Sequence, residues 1–201
     1  MIRRKKGHWR YRRDITVLRR NSKTVVVTGS HSVGKTVLCE ALVDSLSKTE
    51  QVGFIPEMAR VLIAQGIPMN DQVSETGITT YIVQYLRCRR YAKGKIIVSD
   101  RSVFDLYAYI STSRPADVRD EFVWLAEEIV RAEIATVDLY VYVPVEFAMV
   151  LDDVRPAATE YQKAIDAAIV LLLRQFEANY VAVTGTVEQR VQQIVSAIGG
   201  C

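Results

Sequence analysis

One octapeptide restricts this chain more than anything else in it. Gly29-Ser30-His31-Ser32-Val33-Gly34-Lys35-Thr36 matches the phosphate-binding pattern G-x-x-x-x-G-K-[ST] at every fixed position. The glycines let the backbone turn tightly, so that successive N–H groups converge on phosphate oxygens. A helix opening near Lys35 adds the positive end of its dipole. Lys35 is placed to reach the β- and γ-phosphates, and the Thr36 hydroxyl to ligate Mg²⁺. The flanks agree with this: a β-branched run at 24–28 precedes the loop, and Val37, Leu38, Ala41, Leu42 and Leu46 follow at helical spacing over 35–47. The expected ligand is a nucleoside triphosphate, ATP with Mg²⁺, held by Gly29, Ser32, Val33, Gly34, Lys35, Thr36 and Val37. His31 sits at a variable position and reads either as a filler or as a catalytic group.

The rest of the chain alternates strand and helix. Strands are expected at 24–28, 52–55, 95–99, 139–143 and 180–183. Helices are expected at 35–47, 57–65 (stopped by Gly66), 72–92 (weakened by Gly77), 103–111, 117–135, from 159 to 178, and 187–198. Ser113-Arg114-Pro115 separates the fourth and fifth of these helices. Such alternation predicts an α/β fold whose parallel sheet is covered on both faces. The domain is expected over 24–201, behind an N-terminal extension at 1–23.

That extension carries most of the charge asymmetry. Residues 1–20 hold nine Lys and Arg against Asp14 alone, which leaves seventeen basic and twenty-two acidic side chains in the remainder. With Trp9 and Tyr11 among them, these charges read as a solvated tail or as a contact for RNA or another anionic surface. No apolar run reaches the roughly 18–20 residues that cross a bilayer, and the charged N-terminus lacks a secretory apolar core. Cys39, Cys88 and Cys201 fit neither a metal spacing nor a disulfide framework. Reduced thiols in a cytoplasmic setting are expected.

Phosphoryl transfer needs more than a phosphate loop, and three further segments supply candidates. Ile96-Ile97-Val98-Ser99-Asp100 is an apolar strand ending in a carboxylate. Beside the first strand it would bring Asp100 to the Mg²⁺ held by Thr36; otherwise Asp100 would cap the following helix. Arg101 is suited to an anionic or hydroxyl-bearing substrate, or to the migrating phosphoryl group. Glu57 follows the second strand and should project from the carboxyl edge of the sheet, where ligands bind in open α/β folds. There it can accept a proton from an attacking hydroxyl, with Arg60 one helical turn on. Arg155, in Asp152-Asp153-Val154-Arg155, lies where a lid would bring a cation onto the phosphates. Tyr81, Tyr85, Tyr91, Tyr107 and Tyr109 read as core packing or as stacking surfaces for a base.

Taken in order, the phosphate loop, the Pro56-Glu57-Met58-Ala59-Arg60 segment, Asp100-Arg101 and Asp152-Asp153-Val154-Arg155 resemble the NadR-type, AAA-domain kinase-like P-loop family. The resemblance runs from about residue 24 to 198. More distantly, Glu57 and Asp100-Arg101 are similar to positions in deoxynucleoside and thymidylate kinases. The resemblance implies a three-layer P-loop fold with five parallel strands in the kinase-type order 2-3-1-4-5. It implies Lys35 and Thr36 for ATP and Mg²⁺, Glu57 and Asp100 in the acceptor and metal region, and Arg155 in a lid. The expected catalytic set is Lys35, Glu57, Asp100, Arg101 and Arg155, with Thr36 and Asp100 on the metal.

The function expected is an ATP-dependent small-molecule kinase acting on a hydroxyl of a nucleoside-like acceptor. Two alternatives stand beside it. One is a nucleotide-dependent switch or binding module, an ATPase or GTPase with no kinase acceptor. The other is a polynucleotide kinase that uses the basic N-terminus to hold RNA.

Overall fold

A computed structural model of the chain describes residues 22–69, 72–145 and 156–199, the side chains of 156–159 excepted. The strands are β1 (Lys23–Thr28), β2 (Val52–Ile55), β3 (Ile96–Asp100), β4 (Leu139–Tyr142) and β5 (Tyr180–Ala182). They form one parallel sheet in the order β2-β3-β1-β4-β5. The helices are α1 (Lys35–Leu46), α2 (Met58–Ala64), α3 (Glu75–Tyr91), α4 (Val103–Thr112), α5 (Asp120–Ile134), α6 (Pro156–Gln175) and α7 (Val187–Gly199).

The central strand shows why a β-branched run was required. Val25, Val26 and Val27 are all fully buried, so neither face of β1 meets water. Val25 and Val27 share one core cluster with Leu38 and Leu42 of α1 and Ile194 and Ile198 of α7. Val26 joins the opposite cluster with Ile97, Tyr140, Ile78 of α3, Phe104 of α4 and Ile165 of α6. Burial of each such valine side chain contributes roughly 1.5–3 kcal/mol. Helices therefore cover the sheet on both sides, giving three layers.

Parallel pairing also fixes where chemistry can happen. Val27 is paired with Asp100, and Thr28 with Tyr142, so the carboxyl ends of β1, β3 and β4 lie along one edge. The chain leaves β1 towards β2 on one side of the sheet, and leaves β3 towards β4 on the other. That reversal opens a crevice beyond the ends of β1 and β3.

The sixth helix, expected at 159–178, runs three residues earlier, Pro156–Gln175, and two helix starts come three residues later than expected, each for a local reason. The third helix begins at Glu75 and not at 72, because the Ser74 hydroxyl caps it by accepting the Gly77 N–H at 3.1 Å. Gly77 is itself required there: a Cβ would meet the Pro68 carbonyl oxygen at 2.9 Å. The fifth helix begins at Asp120 and not at 117. The preceding residues are spent on a turn closed by the Val118 N–H to the Pro115 carbonyl at 3.1 Å, and the Arg119 N–H goes to Glu75 at 3.2 Å. The basic residues of 1–20, together with Asp152, Asp153, Arg155 and Cys201, lie outside the described residues. Among the described residues no helix is long and apolar enough to cross a membrane.

Candidate functional site

The loop between β1 and α1 has its carbonyls tied to protein donors. Arg101 Nη1 donates to the Gly29 oxygen at 3.4 Å, Lys35 Nζ to that of Ser30, and Gln162 Nε2 to that of His31 at 2.7 Å. Gly29 passes so close to β4 that a Cβ would lie 2.5 Å from the Val143 oxygen. Ser32 and Gly34 both adopt left-handed φ, 61° and 84°. Positive φ at alternate positions turns successive N–H groups towards one side, the concavity that cradles an anion. Ser30 Oγ is buried there without a hydrogen-bond partner among the described residues. Val33 is half-buried, while Val37 is 56 % exposed just past the loop.

Lys35 is buried although it is a lysine. Burial lowers its pKa, and the Arg101 charge lowers it further; Asp105, Asp100 and Glu57 oppose this, and the result is about 7. Thr36 Oγ1 donates to Asp100 Oδ2 at 2.7 Å, while Asp100 Oδ1 is buried with no hydrogen-bond partner among the described residues. A buried, unpaired carboxylate oxygen is costly. A hard divalent cation that takes oxygen ligands would satisfy it, so Thr36 and Asp100 fit Mg²⁺. Burial pushes the Asp100 carboxyl up, although the Thr36 hydrogen bond pulls the other way. Asp100 does not cap the next helix. Ser102 does so, in a capping box with Asp105.

Arg101 organises the other half. Its backbone is left-handed, φ 70°, and is clamped by Ser99 Oγ donating to its carbonyl at 2.6 Å and by its own N–H to Val27 at 3.0 Å. The guanidinium pairs with Glu57 through Nε at 3.0 Å and with Asp105 through Nη1 at 3.7 Å, and lies 5.3 Å from the Tyr109 ring centroid. Burial works against its charge, but Tyr109, Asp105 and Glu57 outweigh burial and raise its pKa. Asp105 is buried and accepts from Thr28 Oγ1 at 3.0 Å and from the Ser102 N–H at 3.1 Å. Burial raises its pKa, against Arg101 and Lys35. Glu57 stands at the start of α2 but caps no N–H; its second partner is Arg60 at 2.7 Å, one turn on and 71 % exposed on its side chain. Around this group runs a cleft lined by Glu57, Arg101, Asp105, Tyr81 and Tyr109 with apolar walls from Met69 and Val73. It opens to solvent, and the space between these side chains is about 30 Å³, room for roughly two waters.

The structure thus brings Lys35, Thr36, Asp100, Glu57 and Arg101 to one edge, as the sequence suggested. Asp105 and Gln162 escaped notice. The Ser102-x-x-Asp105 spacing signals a capping box, but only the fold turns that carboxylate towards Arg101. Of the tyrosines, Tyr81 and Tyr85 are buried and serve packing, with Tyr81 OH donating to the Ser102 carbonyl at 3.0 Å. Tyr107 packs edge-on to Phe176, and Tyr91 is 67 % exposed at the end of α3. Behind the site the buried Glu133 accepts from Tyr85 and, at 3.2 Å, from Arg89, tying α3 to α5.

A family model described as an AAA domain matches residues 24–190 of the chain. No curated protein matches it. A solved NadR protein in complex with NR superimposes with a TM-score of 0.66 at 23 % identity, over 92 % of this chain and 52 % of that one. A NadR protein in complex with NAD and AMP-PNP gives 0.64 at 23 % identity, over 89 % of this chain and 49 % of that one. The chain thus spans about half the length of these NadR structures, and at this identity the likeness establishes a shared fold.

Proposed function

We propose, from the premise that this chain belongs to the AAA domain family, that it is an ATP-dependent phosphotransferase. It moves the terminal phosphoryl group onto a hydroxyl of a nucleoside-like small molecule. The observation that carries this reading is the meeting of Lys35, the Thr36–Asp100 pair and the Glu57–Arg101–Asp105 group at one sheet edge. The NadR structures with NR and with AMP-PNP support it by analogy of fold. The working unit is residues 24–201, with 1–23 as an extension; the family match beginning at residue 24 favours that division.

Lys35 gives up the Ser30 carbonyl for phosphate oxygens, and the charge it gains there acts where negative charge builds up during transfer. Thr36 and Asp100 would hold Mg²⁺, which would supply neutralisation of phosphate charge. Glu57 is largely buried but lines the cleft, tied to one buried and one exposed arginine, and so is the carboxylate placed to meet an incoming hydroxyl and take its proton. Asp105 is fixed by Thr28 and Ser102 and holds Arg101 in place. The cleft opens to solvent beside Glu57 and Arg101, so an acceptor seated there would displace water from the transfer site.

The test is ADP formation from ATP and Mg²⁺ across a panel of nucleosides, nicotinamide riboside among them, with the phosphorylated product identified by mass. Acceptor-dependent ADP release matched by product is expected. If no acceptor raises turnover above background hydrolysis, the kinase reading fails.

A further inference from the structure

His31 occupies a position that the loop pattern leaves open, yet its surroundings are specific. Its carbonyl is held by Gln162, a buried glutamine of α6. Its ring stacks on Tyr161 at 5.8 Å and 28°. Tyr161 meets Tyr109 edge-on at 6.3 Å, and Tyr109 carries the Arg101 guanidinium over its ring. Lys35 Nζ bonds the carbonyl of the neighbouring residue, Ser30, and Arg101 bonds that of Gly29. The imidazole is therefore half-buried beside both cations of the site.

We propose that His31 is a phosphate-contacting residue: as the triphosphate binds, its imidazole takes a proton from solvent and donates the new N–H to a phosphate oxygen. This rests on the triphosphate-binding role of the loop proposed above. Among the described residues, the charged and titratable groups around it are Lys35 from α1, Arg101 from the β3–α4 turn, Tyr109 from α4 and Tyr161 from α6. Burial lowers the His31 pKa, and Arg101 and Lys35 lower it further, so the free protein holds the ring neutral near pH 7. A polyphosphate reverses the sign of that field. It draws the fields of Lys35 and Arg101 onto itself and supplies an anion for the imidazolium. The Tyr161 face then favours the cation as well, and stacking leaves the ring nitrogens at the edge, free to donate. No bond other than the N–H is made or broken.

The chain has two histidines, His8 and His31, so imidazole NMR assigns them by substitution. The His31 signal is the one absent from H31Q; if H31Q does not fold, H8Q leaves His31 alone in the spectrum. Titration without and with AMP-PNP and Mg²⁺ is expected to move the His31 midpoint from below pH 6.5 up by at least about one pH unit. Linkage then requires AMP-PNP to bind about tenfold more tightly for each pH unit descended between the free and the bound midpoints. Part of the change belongs to Lys35, so the share of His31 is the difference between wild type and H31Q. A His31 pKa that stays put or falls while AMP-PNP is demonstrably bound overturns the proposal. A wild-type chain that does not bind AMP-PNP at all refutes the triphosphate reading itself, and the two failures are told apart by the binding isotherm.

Discussion

Raising the pH from 7 to 9 should make this chain more stable and a poorer ligand for triphosphate, and Lys35 is the reason for both. In the folded chain its ammonium is buried on the Ser30 carbonyl, and burial with the Arg101 charge brings its pKa from 10.5 to about 7. The unfolded chain keeps the ordinary lysine value. Between those two pKa values the unfolded state binds more protons, so stability rises with pH, by up to about 1.4 kcal/mol per pH unit. Half-titration at pH 7 leaves about 2–3 kcal/mol between pH 7 and 9, or roughly 4–12 °C in Tm for a domain of this size. Triphosphate binding has the opposite sign, because the phosphates require the ammonium. Above pH 7 each pH unit costs about tenfold in Kd, so pH 9 should weaken AMP-PNP by roughly 50–100-fold relative to pH 7. Two other groups act in this window: burial raises the Cys39 thiol, which offsets part of the stability gain as pH nears 9, and His31 shares the loss of affinity just above pH 7, whereas the phenols of Tyr81, Tyr85 and Tyr140 are pushed well above 10. The assays are thermal melting of the ligand-free chain and calorimetric titration with AMP-PNP and Mg²⁺ at pH 7, 8 and 9. Lys35→Met should remove the stability slope. A Kd and a Tm that both stay flat from pH 7 to 9 would refute the argument.

Three further outcomes are expected. Asp100→Asn should cut the Mg²⁺-dependent part of nucleotide affinity by roughly ten- to a hundredfold and leave the Mg²⁺-free part nearly unchanged, as read by titration with and without EDTA. Glu57→Gln should lower acceptor-dependent kcat by roughly 10²–10⁴-fold while AMP-PNP affinity stays within about threefold; an equal loss in both would place Glu57 in the donor half. Gly77→Ala decides between helix propensity, which favours alanine by about 1 kcal/mol, and the 2.9 Å approach to the Pro68 oxygen, which costs about 1–3 kcal/mol. Net destabilisation by denaturant melting is expected, and a more stable variant would show that the α2–α3 connection yields.

The donor half of the site was legible because it is local. A strand, a glycine turn, a lysine and a hydroxyl lie within fourteen consecutive residues, 23–36, and their geometry follows from short-range backbone rules. The β-branched run of β1 equally declared its own burial, since a strand hidden on both faces has no use for alternation. Glu57 and Asp100 were legible one step further on, because a residue ending a parallel strand must emerge at the carboxyl edge. The acceptor half was not legible in that way. Arg101 finds Glu57 forty-four residues back, and the phosphate loop meets Gln162 and Tyr161 well over a hundred residues on. No spacing in a linear pattern encodes contacts made across three layers. The phosphate loop is thus the part the sequence determined by itself. Tertiary structure decided what surrounds it: a lysine buried until its pKa nears neutrality, a carboxylate oxygen without a partner among the described residues, and a half-buried histidine whose proton affinity two nearby cations lower. Those properties come from desolvation and from charges brought together by the fold, and neither exists until the layers have packed.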